Sequence, residues 1–396
     1  MSSTKLRIAS PLHIGNGNEL TPVDIYPGDG VVYVLNTRKL TAELLERGVK
    51  LEEILDLLKN PPGDAYIWKE YLERFGLNPG EYALYTLKIR GEMGKTSMQI
   101  KEFIKQNGVP YIPGSSVKGA VRTAVIYNVL RDCGDSTTAM RLVSKFSKKL
   151  AESIGWSDDL VDFYVNYLIG QERTDPRRAD DLLEAIVFGM ESDRRSGVRY
   201  EPKRDPMRAL LVRDSNPIGK KHLAVYRVDV VPKGIPVWVE GLEPGTLTGL
   251  EVKFETNLLH LNRGYFNGLF WECLKDRGNP WEVFEDFVWT SVREFYLDVR
   301  KEELEELHRY PSAFRRAVKG LYTHLEGQRG HVLRLGWGSG WLSMTVGILL
   351  RRHRKWRHLR QKLRLGRNPS KDGSPTDFPV TRRLADGTPM GWVVLE

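Results

Sequence analysis

Residues 209–255 hold ALLVRD (209–214), HLAVYRVDVV (222–231), PVWVE (236–240) and LEVKFE (250–255), four short runs separated by Pro/Gly turns. Their β-branched and aromatic side chains suit a pleated, half-buried surface, so each reads as a strand. Upstream, TKLRI (4–8) predicts a strand running into a turn marked by Gly15 and Gly17, and VVYVL (31–35) and YALYTLKI (82–89) predict two more. Between them, leucines at helical spacing (Leu40, Leu44, Leu51, Leu55, Leu58), broken by Pro61 and Pro62, predict two or three short helices. IKEFIKQNG (100–108) reads as a helix ended by Gly108, another helix begins near Val117, and more fill 136–189. The charged, proline-bearing ESDRRSGVRYEPKRDPMR (191–208) reads as an exposed loop near a domain boundary. Downstream lies a helical block, about 257–325, whose acidic stretch VREFYLDVRKEELEELH (292–308) reads as a solvated helix face. A hairpin around Asp386-Gly387 closes the chain. Strands mixed with helices in each half predict an α+β chain of two small sheet domains with helical insertions, 1–200 and 201–396.

The chain has 396 residues, 41% hydrophobic and 28% charged, which excludes a disordered or fibrous protein. No apolar run approaches the roughly 18 residues of a membrane span, and residues 1–10 carry no apolar signal segment, so a cytoplasmic location is expected. Cys133 and Cys273 are too few for a disulfide framework and form no CxxC pair. The net charge of +9 is localised. Residues 327–371 contain 12 Lys or Arg and no carboxylate, which leaves residues 1–326 at −1. Such a block suits a polyanion, since neutralised phosphates release counterions; docking on an acidic partner is the alternative.

Three constellations could carry function. In YIPGSSVKGAVRTAVIYNVL (111–130), Val117, Ala120, Val121, Ala124, Val125 and Val129 form an inward helical stripe, and Ser115 or Ser116 is the expected N-cap. Lys118 and Arg122 then stand four apart near the helix start, where like charge and the helix dipole both disfavour them. An anion would relieve both penalties, so Ser115, Ser116, Lys118 and Arg122 read as phosphate contacts, with Gly119 admitting a close backbone. In RLGWGSGWL (334–342), Gly336, Gly338 and Gly340 alternate with Trp337 and Ser339, and can present backbone N–H groups to phosphates while Trp337 offers a stacking face. Trp341 reads as core. In RRHRKWRHLRQKLRLGR (351–367), Trp356, Leu359 and Leu363 continue a narrow stripe from Leu349, with cations on the other faces.

Other motifs fail on spacing. GEMGKTS (91–97) lacks the earlier glycine of a phosphate loop, because position 89 is Ile. The eight histidines include no HExxH and no zinc spacing, so no metal or cofactor is expected. His13, beside Gly15 and Gly17, could act as a general base in metal-independent RNA cleavage, although a lone loop histidine is more often a hydrogen-bonding or stacking residue.

PLHIGNGNEL (11–20), YIPGSSVKGAVRTA (111–124), HLAVYRVDVVPKG (222–234), RLGWGSGWL and FPVTRRLADGTPMGW (378–392) resemble the RAMP superfamily of CRISPR RNA-binding proteins. Their order and the FPxTRR ending are most similar to the cap subunits, the fifth Csm proteins, of type III-A effector complexes. The resemblance implies two ferredoxin-like, RRM-type domains and a non-catalytic subunit at the 3′ side of the CRISPR RNA (crRNA), needed for its 3′ maturation and for antiviral defence. The partners it implies are crRNA, other Csm subunits (above all the RAMP backbone subunit and the small helical subunit) and cellular nucleases. The candidate RNA-binding set is then His13, Ser115, Ser116, Lys118, Arg122, Arg334, Gly336, Trp337, Gly338, Ser339, Gly340, Arg382 and Arg383. A metal-independent endoribonuclease using His13, or a protein-interaction cap that recruits a nuclease, is the alternative.

Overall fold

A computed structural model describes residues 4–61, 67–91, 99–133, 135–170, 180–194, 197–232, 234–366, 378–379 and 381–396. Most of GEMGKTS, and Arg367 at the end of the basic run, lie outside them. The chain is α+β. Two sheets share thirteen strands: β1 (Thr4–Ile8), β2 (Gly15–Leu20), β3 (Ile25–Pro27), β4 (Val31–Leu35), β5 (Ala83–Arg90), β6 (Ile100–Phe103), β7 (Leu223–Val231), β8 (Val237–Leu242), β9 (Leu247–Leu250), β10 (His331–Arg334), β11 (Arg382–Ala385), β12 (Thr388–Pro389) and β13 (Trp392–Leu395). The smaller sheet is antiparallel, in the order β9-β1-β13-β10. The larger runs β2-β6-β8-β7-β5-β4-β3, parallel at β6/β8 and β7/β5, with β11 and β12 added beside β7. Each sheet takes strands from both sides of residue 200.

Five helices bear on the site: α1 (Gly114–Asp132), α2 (Leu160–Gly170), α3 (Pro280–Glu305), α4 (Ser312–Glu326) and α5 (Trp356–Lys362). α1 and α3 pack on each other and on β10, and Val117, Val121, Phe295 and Val299 enter the main core as their helical spacing requires. A 3₁₀ turn, Glu306–Arg309, follows α3. Asp386 and Gly387 both have positive φ, +49° and +70°, as the two-residue turn between β11 and β12 demands.

Three expectations fail for physical reasons. Residues 100–103 form β6, because a place between β2 and β8 outweighs the helical preference of Lys and Glu. Gly15–Leu20 is a strand with five of six residues exposed, so its polar sequence marks a sheet edge. Residues 190–193 and 197–200 form a small hairpin, and Asp205 beyond it is 2% exposed, so 191–208 is not a free loop. Cys133, at the end of α1, is joined to Cys273 of the helix Leu269–Arg277, with Cα atoms 5.5 Å apart. No described helix is long and apolar enough to cross a membrane.

Candidate nucleic-acid interface

β10 ends at Arg334, and the chain then needs three left-handed residues in alternation: Gly336 (φ +73°), Gly338 (+94°) and Gly340 (+85°). Only glycine adopts these values freely. The loop is pinned to the N-terminal motif, for Trp337 N–H donates to the His13 carbonyl at 2.9 Å, and a Cβ on Gly336 would collide with that same oxygen. Ser339 is buried, its hydroxyl donating to the Gly336 carbonyl at 2.6 Å, so it braces the loop from within. Gly340 has open space where a side chain would stand.

His13 is 2% exposed. Its Nδ1–H donates to the Glu240 carbonyl at 2.6 Å, and its ring meets Phe103 and Trp337 edge-on. Burial pushes its pKa down to about 4, with Lys101 and Lys105 adding to the shift and the Glu240 bond opposing it. The ring is therefore neutral at physiological pH and acts as a packed hydrogen-bonding side chain.

Glu240, on β8, is the functional residue that the sequence reading missed. Its fully buried carboxylate accepts from the Tyr85 hydroxyl at 2.7 Å and the Phe103 N–H at 2.8 Å, and pairs with Lys105. With its carbonyl on His13, one residue ties β5, β6 and the N-terminal motif together beneath the loop. A lone acid closing the apolar run PVWVE was the available signal.

The flanking arginines turn inward. Arg334 is 4% exposed and donates to Glu303 at 2.9 Å and to the Met390 carbonyl at 2.9 Å. Arg382 is 7% exposed and reaches Glu306 at 3.0 Å and Glu303 at 3.6 Å. Burial pushes the Glu303 carboxyl upward, but Arg334, Arg382 and the Tyr322 hydroxyl outweigh it and hold it below the usual range. Part of the basic run is also paired, Arg351 with Glu302 and Glu306, Arg352 with Glu302, and Arg354 with Asp158 and Asp162, whereas Arg357 and Arg364 are exposed without an ion pair among the described residues. The acidic stretch is accordingly no solvated face, since Glu302, Glu303 and Glu306 are each at most 7% exposed.

At the start of α1 the predicted serine cap is absent. The N-cap is Pro113, and the carboxylate of Asp214 accepts the Gly114 N–H at 2.8 Å, supplying the negative charge that the helix dipole favours. Gly114 is needed because a Cβ there would strike the 212–213 backbone. Arg122 pairs with Asp205 and lies 4.0 Å over Phe188, while Lys118 donates to the Leu210 carbonyl at 2.7 Å. The anion expected to relieve Arg122 is thus Asp205 of the same chain. Ser115 is exposed and Ser116 half-buried, and Gly119 has open space beside it. Trp341 is half-buried against Trp356 and Phe378.

Arg383 is the exception among the predicted arginines. Its guanidinium lies 4.2 Å over the Trp337 ring, both side chains are half-buried, and no described carboxylate pairs with it. Burial alone lowers its pKa. A cation stacked on an indole beside a glycine loop can receive a phosphate on one group and a base on the other.

The RAMP superfamily matches residues 5–343. A curated relative, the CRISPR system Cms protein Csm5 of Methanocaldococcus jannaschii, is 25% identical over 417 residues, covering 98% of this chain and 87% of its own. The crystal structure of T. onnurineus Csm5 aligns with a TM-score of 0.85 at 56% identity, covering 99% of this chain and all of that one. A chain in a cryo-EM structure of a Csm–crRNA–target RNA ternary complex of a type III-A CRISPR-Cas system aligns with a TM-score of 0.86 at 54% identity over the full length of both.

Proposed function

The chain belongs to the RAMP superfamily, and from that premise we propose that it is a non-catalytic RNA-binding subunit of a type III-A CRISPR effector complex. It caps the subunit filament at the 3′ side of the crRNA, supports 3′ maturation of that RNA, and contacts crRNA and neighbouring Csm subunits. Full-length similarity to a chain of a Csm–crRNA–target RNA complex supports this assignment. The observation that carries it is the Arg383–Trp337 stack on a loop where Gly340 leaves open space beside the backbone. Cytoplasmic location follows from the same role. The two ferredoxin-like units are part of the proposal, and both sheets take strands from each side of residue 200.

The test is affinity for single-stranded, repeat-derived RNA measured against salt. Wild type should bind with an affinity that falls steeply as salt rises, and Arg383→Glu with Trp337→Ala should weaken binding across sequences while the fold survives. Equal affinity in the double variant would remove this surface from the interface. His13 lends no support to the endonuclease alternative, because it is buried and its Nδ1–H is committed to Glu240.

A further inference from the structure

Several cations singled out by the sequence, among them Arg122, Arg334, Arg351 and Arg382, are answered by acids of the same chain, which shifts attention to exposed cations that are not. α4 buries Phe314, Val318, Tyr322 and Leu325 and turns Arg315, Arg316 and Lys319 to solvent. None of the three has an ion-pair or hydrogen-bond partner for its side chain among the described residues. The first turn of α4 carries no acid, so nothing local offsets them. Arg315 and Lys319 are also a like-charge pair four apart, a spacing that disfavours an isolated helix by roughly 0.2–0.5 kcal/mol. α4 packs against β12, which pairs with β11, the strand that carries Arg383. The free cations therefore stand on an element next to the candidate interface.

We propose that the outer face of α4 is a second contact surface for the RNA backbone, along which the strand continues from the Gly-rich loop, with Arg315, Arg316 and Lys319 each facing a phosphate. This inference rests on the RNA-binding function proposed above. Charge complementarity names the occupant, since three unpaired cations on one helix face suit a polyanion and give no base recognition.

The test compares full-length wild type with the triple variant Arg315→Gln, Arg316→Gln, Lys319→Gln on a single-stranded RNA, titrated at several salt concentrations. Three lost phosphate contacts should lower the salt slope of log K by about 2, since each contributes about 0.7 for a single strand, and should weaken binding at about 0.1 M salt by roughly 100-fold. The substitutions are exposed, so the thermal midpoint should not move, and the charge-preserving double variant Arg315→Lys, Arg316→Lys should keep the wild-type slope. Wild-type binding with an unchanged slope in the triple Gln variant would overturn the α4 surface and leave the RNA-binding function standing. An intact slope with lost assembly onto neighbouring subunits would make α4 a protein-docking face and overturn it as well. Absence of wild-type RNA binding would defeat the parent function and the α4 surface with it.

Discussion

Trp337 and His13 are joined backbone to backbone, the Trp337 N–H donating to the His13 carbonyl at 2.9 Å, so the Gly-rich loop takes its position from the N-terminal motif. Gly336 makes this approach possible. Gly336→Ala should strain a φ of +73° by about 1–2 kcal/mol and also press a methyl onto the His13 carbonyl, lowering both stability and RNA affinity. Gly340→Ala meets open space and should show the backbone cost alone. Denaturant midpoints and RNA titrations of the two variants check the contrast.

Acid should destabilise the protein in two separable windows. His13 has a folded pKa of about 4 against 6.5, so the unfolded chain binds more protons between those values. Its contribution is fully present above pH 6.5 and is lost as pH falls towards 4, a change of roughly 3 kcal/mol. His13→Asn keeps a donor near the Nδ1 position and should flatten that slope in chemical denaturation run from pH 7 to pH 4.

Glu303 supplies the second dependence. Its folded pKa is held below the usual carboxylate value of 4.5, so its contribution is present above that value and lost as pH falls through the depressed one. Glu303→Ala leaves Arg334 and Arg382 buried without this carboxylate and should cost about 3–5 kcal/mol at neutral pH. Glu303→Gln should cost less and remove the acid limb below pH 4.5. Stability curves of the three proteins against pH distinguish these outcomes.

Fragments cut at residue 200 should not fold separately. β1 pairs with β9 and β13, and β7 and β8 lie between β5 and β6 in the larger sheet, so each half lacks at least one interior strand of each sheet. Residues 1–200 and 201–396 expressed apart should be insoluble or lack cooperative unfolding. Coexpression should recover a complex with a native-like thermal transition.

Local structure was legible where one residue's chemistry decides it. The strand runs at 31–35, 82–89 and 222–240, the apolar stripe of α1 and the Asp386-Gly387 turn all follow from period or from φ preference. Pairing across the chain was not. The acidic run of α3 and the basic run after the Gly-rich loop each read alone as a solvated or polyanion-binding face, yet Glu302 and Glu306 meet Arg351, and Glu303 meets Arg334. Arg122 showed the same blindness: its unfavourable placement was visible, but Asp205 lay in what read as loop. Charge in sequence reports a demand for counter-charge, and only the fold says who meets it. Arg383, unmet by any described acid, is the arginine of the predicted RNA-binding set whose demand persists.

The position of β1 sets a schedule for biosynthesis. Leu6 and Ile8 leave the ribosome hundreds of residues ahead of Val393 and Leu395 of β13, against which they lie. At about 5–20 residues per second, translation of 396 residues keeps that strand waiting for roughly 20–80 s. The small sheet therefore closes late, because β1 stays unpaired until β9 emerges and half-paired until β13 does. Slow maturation of the newborn polypeptide is the cost of joining strands so distant in sequence within one sheet.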